Sequence, residues 1–167
     1  MQGGSCIPSR LVILSFGNVT LRFRLPISWE EAPSGSPNTA TFVGATAHAP
    51  SFRVTVVRND GFVSPKQVLT SVPSSRNAVI EDLQNEKVLM THAVTCMEGG
   101  REIETIFWHL AVPAIPTGVV VAIFSYCILK RWRGLAEAVV DVGFLETEIR
   151  QAQVVLDITD FISGGGD

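Results

Sequence analysis

The sequence predicts an α+β fold built on an antiparallel sheet, and three observations carry that prediction. Short stretches in the first third alternate apolar and polar residues with a period of two. Three nearly continuous apolar runs follow one another between residues 87 and 130, joined by the turn sequences Glu98-Gly99-Gly100 and Pro113-Ala114-Ile115-Pro116-Thr117-Gly118. Residues 131–153 then set Trp132, Leu135, Val139, Val142, Leu145 and Ile149 at spacings of three and four, the stripe of a helix packed along one side.

The central stretch decides the class. Residues 106–129 are long enough and apolar enough for a single membrane-spanning helix, and Lys130-Arg131-Trp132-Arg133 would suit the cytoplasmic end of such a span. Pro113 and Pro116 oppose it, because each removes a helical donor and clashes with the preceding turn. His109 would place an ionisable ring inside the bilayer. Val119, Val120, Val121, Ile123, Phe124, Tyr126 and Ile128 are strand formers. The stretch therefore reads as a hairpin in the middle of a sheet, with the span kept as the alternative.

In chain order, residues 11–16 form a short apolar strand ended by Gly17-Asn18. Residues 19–25 put Val19, Leu21, Phe23 and Leu25 on one face and Thr20, Arg22 and Arg24 on the other, a half-buried strand at or near a sheet edge. Trp29 follows the Pro26 turn and reads first as a core anchor, with an interface hot spot as the alternative. Residues 31–38 are a Pro-, Ser- and Gly-rich loop within the domain. Residues 39–47 and 52–58 are further strands, the second presenting Phe52, Val54 and Val56 to one side. Ser64-Pro65 starts a helix running to Val72, with a capping hydroxyl ahead of a proline at the first helical position. A second helix is expected from Ser74 or Ser75 to Gln84, on the strength of Val79, Ile80 and Leu83. Residues 87–97, 101–112 and 119–130 form an antiparallel meander covered on both faces. The terminal helix takes residues 131–153, and residues 154–162 either extend it or form a strand. The domain expectation is a flexible segment at 1–10, one domain over 11–155, and an extension with a Gly-rich tail at 156–167.

Composition narrows the function. The 167 residues suit one domain, and the net charge of −3 carries no polyanion-binding signature, so nucleic acid is not expected as a partner. Charged residues are only 17%, which points to extensive burial or a rather neutral surface. Cys6, Cys96 and Cys127 are widely spaced, without metal-ligand spacing or a disulfide pattern. A reducing, cytoplasmic setting follows, with Cys96 and Cys127 expected as buried, inert thiols. Phosphate-cradling, zinc-protease and nucleophile-elbow motifs are missing, so no catalytic residue and no cofactor is expected. His92 and His109 fall on neighbouring strands, where a two-histidine site with Glu102 or Glu104 is conceivable. Glu30-Glu31 and Glu146/Glu148 read as solvated carboxylates, with Glu146 and Arg150 as an i,i+4 pair.

Phe23-Arg24-Leu25-Pro26-Ile27-Ser28-Trp29, the strand at residues 52–58, the closing strand and turn at 126–133 and the helix sequence at 145–152 together resemble the Mog1/PsbP-like family, including the DcrB and DUF1795-related proteins. The resemblance spans residues 16–155. It implies an antiparallel sheet of about six strands with helices on both faces, an α/β/α sandwich. It also implies a binding or accessory role, and it brings no catalytic set. The expected function is thus a non-catalytic protein-binding or adaptor module, with another protein as partner or a homodimer through the same surface. The alternative is a small ligand-binding domain or enzyme with a pocket near His92 and His109.

Overall fold

The computed structural model describes residues 6–61 and 63–157. The first hairpin joins β1 (Ser9–Phe16) to β2 (Val19–Pro26) across Gly17-Asn18, with Gly17 at φ 60°. Next come β3 (Glu30–Ala32), β4 (Thr39–Val43), β5 (Ser51–Asn59), helix α1 (Pro65–Ser71) and a 3-10 turn (Pro73–Asn77). β6 (Val79–Asp82), β7 (Val88–Glu98), β8 (Arg101–Pro113) and β9 (Val119–Leu129) follow. A second 3-10 turn (Lys130–Trp132), helix α2 (Ala136–Gln151) and β10 (Gln153–Leu156) complete the described chain.

The central stretch is the hairpin β8–β9, with Pro113 opposite Val119 and Ile103 opposite Leu129. Residues 106–129 are therefore strand, turn and strand, and the spanning-helix alternative does not hold. Among the described residues no helix is long and apolar enough to cross a membrane.

The strands form two antiparallel sheets, β3-β4-β5-β9-β8-β7-β6 and β1-β2-β10. The small sheet and α2 pack on one face of the large one, and α1 packs on the other against β7, β8 and β9. The core between the sheets is aromatic. Phe23 of β2 points down onto Phe42, Phe52 and Phe124 at ring separations of 6.5, 6.1 and 5.7 Å. Trp29 closes the end of this layer against Phe52 and Tyr126 and is 3% exposed, as expected of a core anchor. Edge-on aromatic contacts of this kind add to the burial itself.

The structure departs from expectation in several places. Seven strands and three strands replace a single sheet of about six. β2 lies between β1 and β10, one strand in from the β1 edge and so near an edge as expected. The second helix expected up to Gln84 is a 3-10 turn followed by a strand. Val79, Ile80 and Leu83 span barely one helical turn, and the two β-branched residues instead pair with Thr91 and Met90 at the rim of the large sheet. The terminal helix begins at Ala136, five residues late, because the bonds from Arg133 N–H to Lys130 O and Leu135 N–H to Trp132 O tighten the chain into 3-10 turns. Its buried stripe is Ala138, Val142, Leu145 and Ile149; the small Ala138 faces the core in place of Val139, which is 54% exposed. Finally, Cys96 is exposed rather than buried, since β7 is covered only over its first half.

The first helix agrees closely with expectation. Ser64 accepts from the Gln67 amide, and the Gln67 side chain accepts from the Ser64 amide, a reciprocal capping box ahead of Pro65. β1 begins at Ser9, inside the segment expected to be flexible. β10 takes the strand option for residues beyond α2; the expected Gly-rich tail from residue 158 onward lies outside the described residues.

Candidate functional site

Two side-chain groupings stand out, one on each face of the large sheet. The first is on the α1 side. In the β7–β8 register Met90 lies opposite His109 and His92 opposite Phe107, so the three rings share a face. His92 stacks on Phe107 with centroids 5.1 Å apart and lies 5.2 Å from His109. His109 is buried, and burial together with the neighbouring His92 lowers its pKa to about 4. Burial also lowers that of His92. Both rings are accordingly neutral at neutral pH, and neither His109 Nε2 nor His92 Nδ1 has a hydrogen-bond partner among the described residues.

The expected carboxylates are not there. Glu102 and Glu104 are separated from His109 by odd numbers of residues, so strand alternation turns them to the opposite face. Glu102 binds Lys130 at 2.7 Å and Glu104 lies 3.9 Å from Arg133 Nε. Among the described residues no group of three or more His, Cys, Asp or Glu is placed to hold a metal ion. The structure therefore brings His92 and His109 together and separates both from Glu102 and Glu104.

Among the described residues nothing covers this face beyond α1. Val94 and Cys96 of β7 are exposed, and Ile103, Phe107, Ser125 and Cys127 are half-buried without a helix over them. Among the described residues the second half of β7, from Ala93 onward, also has no neighbour on its outer side, because β6 pairs only with Val88–Thr91.

The second grouping lies under the N-terminal half of α2, and the sequence did not single it out. Tyr126 of β9 turns its buried hydroxyl toward Asp141 of α2. Burial, and then Glu137 one turn earlier, raise the Asp141 carboxyl to about 6, while the tyrosine contact partly offsets them. Burial and Asp141 raise the Tyr126 phenol in turn. His48 Nε2 lies 3.8 Å from Glu137 and its ring packs 4.7 Å from that of Trp132. Asp141 thus keeps its proton to higher pH beside the Tyr126 phenol, whose hydroxyl has no hydrogen bond of normal length among the described residues. The sequence offers only a faint signal for this grouping, the i,i+4 spacing of Glu137 and Asp141 in the terminal helix and a single tyrosine, Tyr126, in the closing strand.

The remaining charged candidates are engaged within the chain. Lys130 pairs with Glu102, Arg131 lies 4.7 Å over the Trp132 ring, and Arg133 faces Glu104, which leaves little of a membrane-facing basic patch. Arg150 reaches Glu81 of β6 at 3.2 Å and donates to the Glu146 main-chain oxygen, not to its carboxylate. Glu30 and Glu31 are exposed, as expected of solvated carboxylates.

The large antiparallel sheet, the small sheet and α2 on one face, and α1 on the other define a Mog1/PsbP-like fold. The chain is similar to LpqN, described as involved in cell envelope biogenesis of Mycobacterium tuberculosis, with a TM-score of 0.65 and 13% identity over 88% of this chain and 91% of that one. It is similar to the Saccharomyces cerevisiae Ran-binding protein Mog1p, with a TM-score of 0.54 and 11% identity over 89% and 96%. A Bacteroides thetaiotaomicron protein matches with a TM-score of 0.59 and 14% identity over 93% of this chain but only 50% of its own. No protein-family model matches the chain, and no curated protein matches its sequence.

Proposed function

We propose that this chain is a non-catalytic protein-binding module that docks a neutral, apolar segment of another protein on the uncovered part of the large sheet. The observation that carries this reading is the bare half-face around Val94, Phe107 and Cys127, where apolar and small polar side chains stand exposed or half-buried. Apolar surface of this kind, rimmed by polar residues, suits a protein interface. The unpaired cysteines suit a cytoplasmic setting. The same fold in a Ran-binding protein gives the reading further support.

The test is a comparison. Proteins retained by the wild-type chain should be lost from a Val94→Asp/Thr105→Asp variant whose circular dichroism and melting temperature match wild type. Retention of the same proteins by both would end this reading. Light scattering on the same samples tests the homodimer: a dimer that the double variant dissociates makes a second copy the partner.

The unpartnered Nε2 of His109 favours a second reading, a small-molecule site beside His92 and His109. A compound that shifts the imidazole NMR signals of wild type, and no longer binds after His92→Ala or His109→Ala, would support it. Compounds whose binding ignores both substitutions would remove it.

A further inference from the structure

The far side of the molecule carries a second surface. The chain has a net charge of −3, yet the three strands of the small sheet hold Arg10, Arg22 and Arg24 and not one carboxylate. Neither Arg22 nor Arg24 forms an ion pair among the described residues. Leu11 and Ile13 stand beside them on the same outward face, 54% and 55% exposed. A hollow of about 240 Å³ opens there, lined by Leu11, Arg22, Arg24 and Gln153 together with Glu148 and Gln151 of α2.

β1 is also a free edge, pairing with β2 alone among the described residues. Its register settles which backbone groups are open. Ile27 N–H bonds Pro8 O, so in the antiparallel ladder Arg10, Val12, Leu14 and Phe16 exchange bonds with β2. Ser9, Leu11, Ile13 and Ser15 then turn their N–H and C=O groups outward. Arg24 reaches across β1 to this edge, donating to Ser9 Oγ at 2.9 Å and to Ser9 O at 3.0 Å. The guanidinium therefore sits where an added strand would run.

We infer that the β1 edge takes up an extended acidic peptide as a fourth strand of the small sheet. The backbone of that strand bonds Leu11, Ile13 and Ser15, its apolar side chains lie beside Leu11 and Ile13, and a carboxylate near the Ser9 end meets Arg24, with Arg22 behind it. A second copy of this chain fits less well, because pairing β1 with β1 brings arginines toward arginines without a carboxylate between them. This surface lies on the opposite side of the molecule from the uncovered face of the large sheet and does not depend on it.

The experiment uses the full chain and two fluorescein-labelled peptides, both rich in valine and threonine, one ending in two glutamates and the other in two lysines. Fluorescence anisotropy should show the glutamate peptide binding at least about tenfold more tightly than the lysine peptide, with affinity falling as salt is added. Leu11→Pro removes an outward N–H without touching the β2 ladder, and it should weaken the glutamate peptide by about tenfold. Arg22→Gln/Arg24→Gln, on two exposed side chains, should weaken it comparably. Val94→Asp/Thr105→Asp should leave it unchanged, so that failure here is separable from failure on the other face. Equal binding of the two peptides, indifference to Leu11→Pro, or binding only to phosphatidylserine vesicles would overturn the inference.

Discussion

Replacing Gly118 with alanine should remove about 2–5 kcal/mol of unfolding free energy, a large fraction of the roughly 5–15 kcal/mol that holds a domain of this kind together. Gly118 closes the turn between β8 and β9, where its carbonyl accepts the Ala114 N–H at 2.9 Å. Two independent causes add. Its φ of +97° is a conformation that residues with a Cβ adopt only under strain. A Cβ built there would also stand 2.2 Å from the main-chain oxygen of Asn59 and 3.0 Å from Asp60 Cα. Those are backbone atoms at the end of β5, which pairs with β9 at this very point, so relief means moving a central strand. Gly143 supplies the control. It lies in the middle of α2, and a methyl group added there would meet no atom within 4 Å outside the helix's own backbone. Gly143→Ala should therefore stabilise by up to about 1 kcal/mol through helix propensity alone. Urea unfolding of the two variants should shift in opposite directions. A Gly118→Ala midpoint equal to wild type would mean that the close approach to β5 is absent.

That turn also shows how far the sequence could be read. The hairpin was legible because two strand-forming runs flank a Pro- and Gly-rich turn, and no helix accommodates both Pro113 and Pro116. The capping box at Ser64 was legible because its chemistry is local. What escaped depends on partners distant in sequence. β6 became a strand because β7 offered it a ladder, and nothing between Val79 and Leu83 announces β7. The separation of the small sheet from the large one depends on how β10 returns to β2, a contact across more than a hundred residues. The histidine site was half legible. The register brought His92 to His109, while simple strand parity already excluded Glu102 and Glu104 from their face. The Tyr126–Asp141 contact required knowing which face α2 presents, and the sequence pattern alone set Asp141 largely off the buried stripe.

The same two groupings make opposite demands on pH, and their opposition gives the second large effect. The pKa of His109 is near 4 in the folded chain against an ordinary 6.5. Between those values the unfolded chain takes up a proton that the folded chain refuses, so this histidine makes stability fall as pH drops, by on the order of 3 kcal/mol in all. His92, lowered in the same direction, adds to that trend. Asp141 behaves inversely. Its folded value near 6 stands above the ordinary 3.8, so the folded chain keeps a proton that the unfolded chain has released, and stability falls as pH rises from about 4 to about 6. In the wild type the two slopes oppose each other across one window, and stability should vary little between pH 4 and 6.5. Asp141→Asn removes one slope and should expose an acid-sensitive fold that weakens steeply below pH 6.5. His109→Gln should expose the reverse, a fold that is relatively more stable toward pH 4 and loses ground on approach to neutrality. Urea unfolding across this range reads both curves. Parallel profiles for the three proteins would mean that neither group changes its proton affinity on folding, and the buried face of β8 and the α2 contact would then have to be far more open to water than their packing shows.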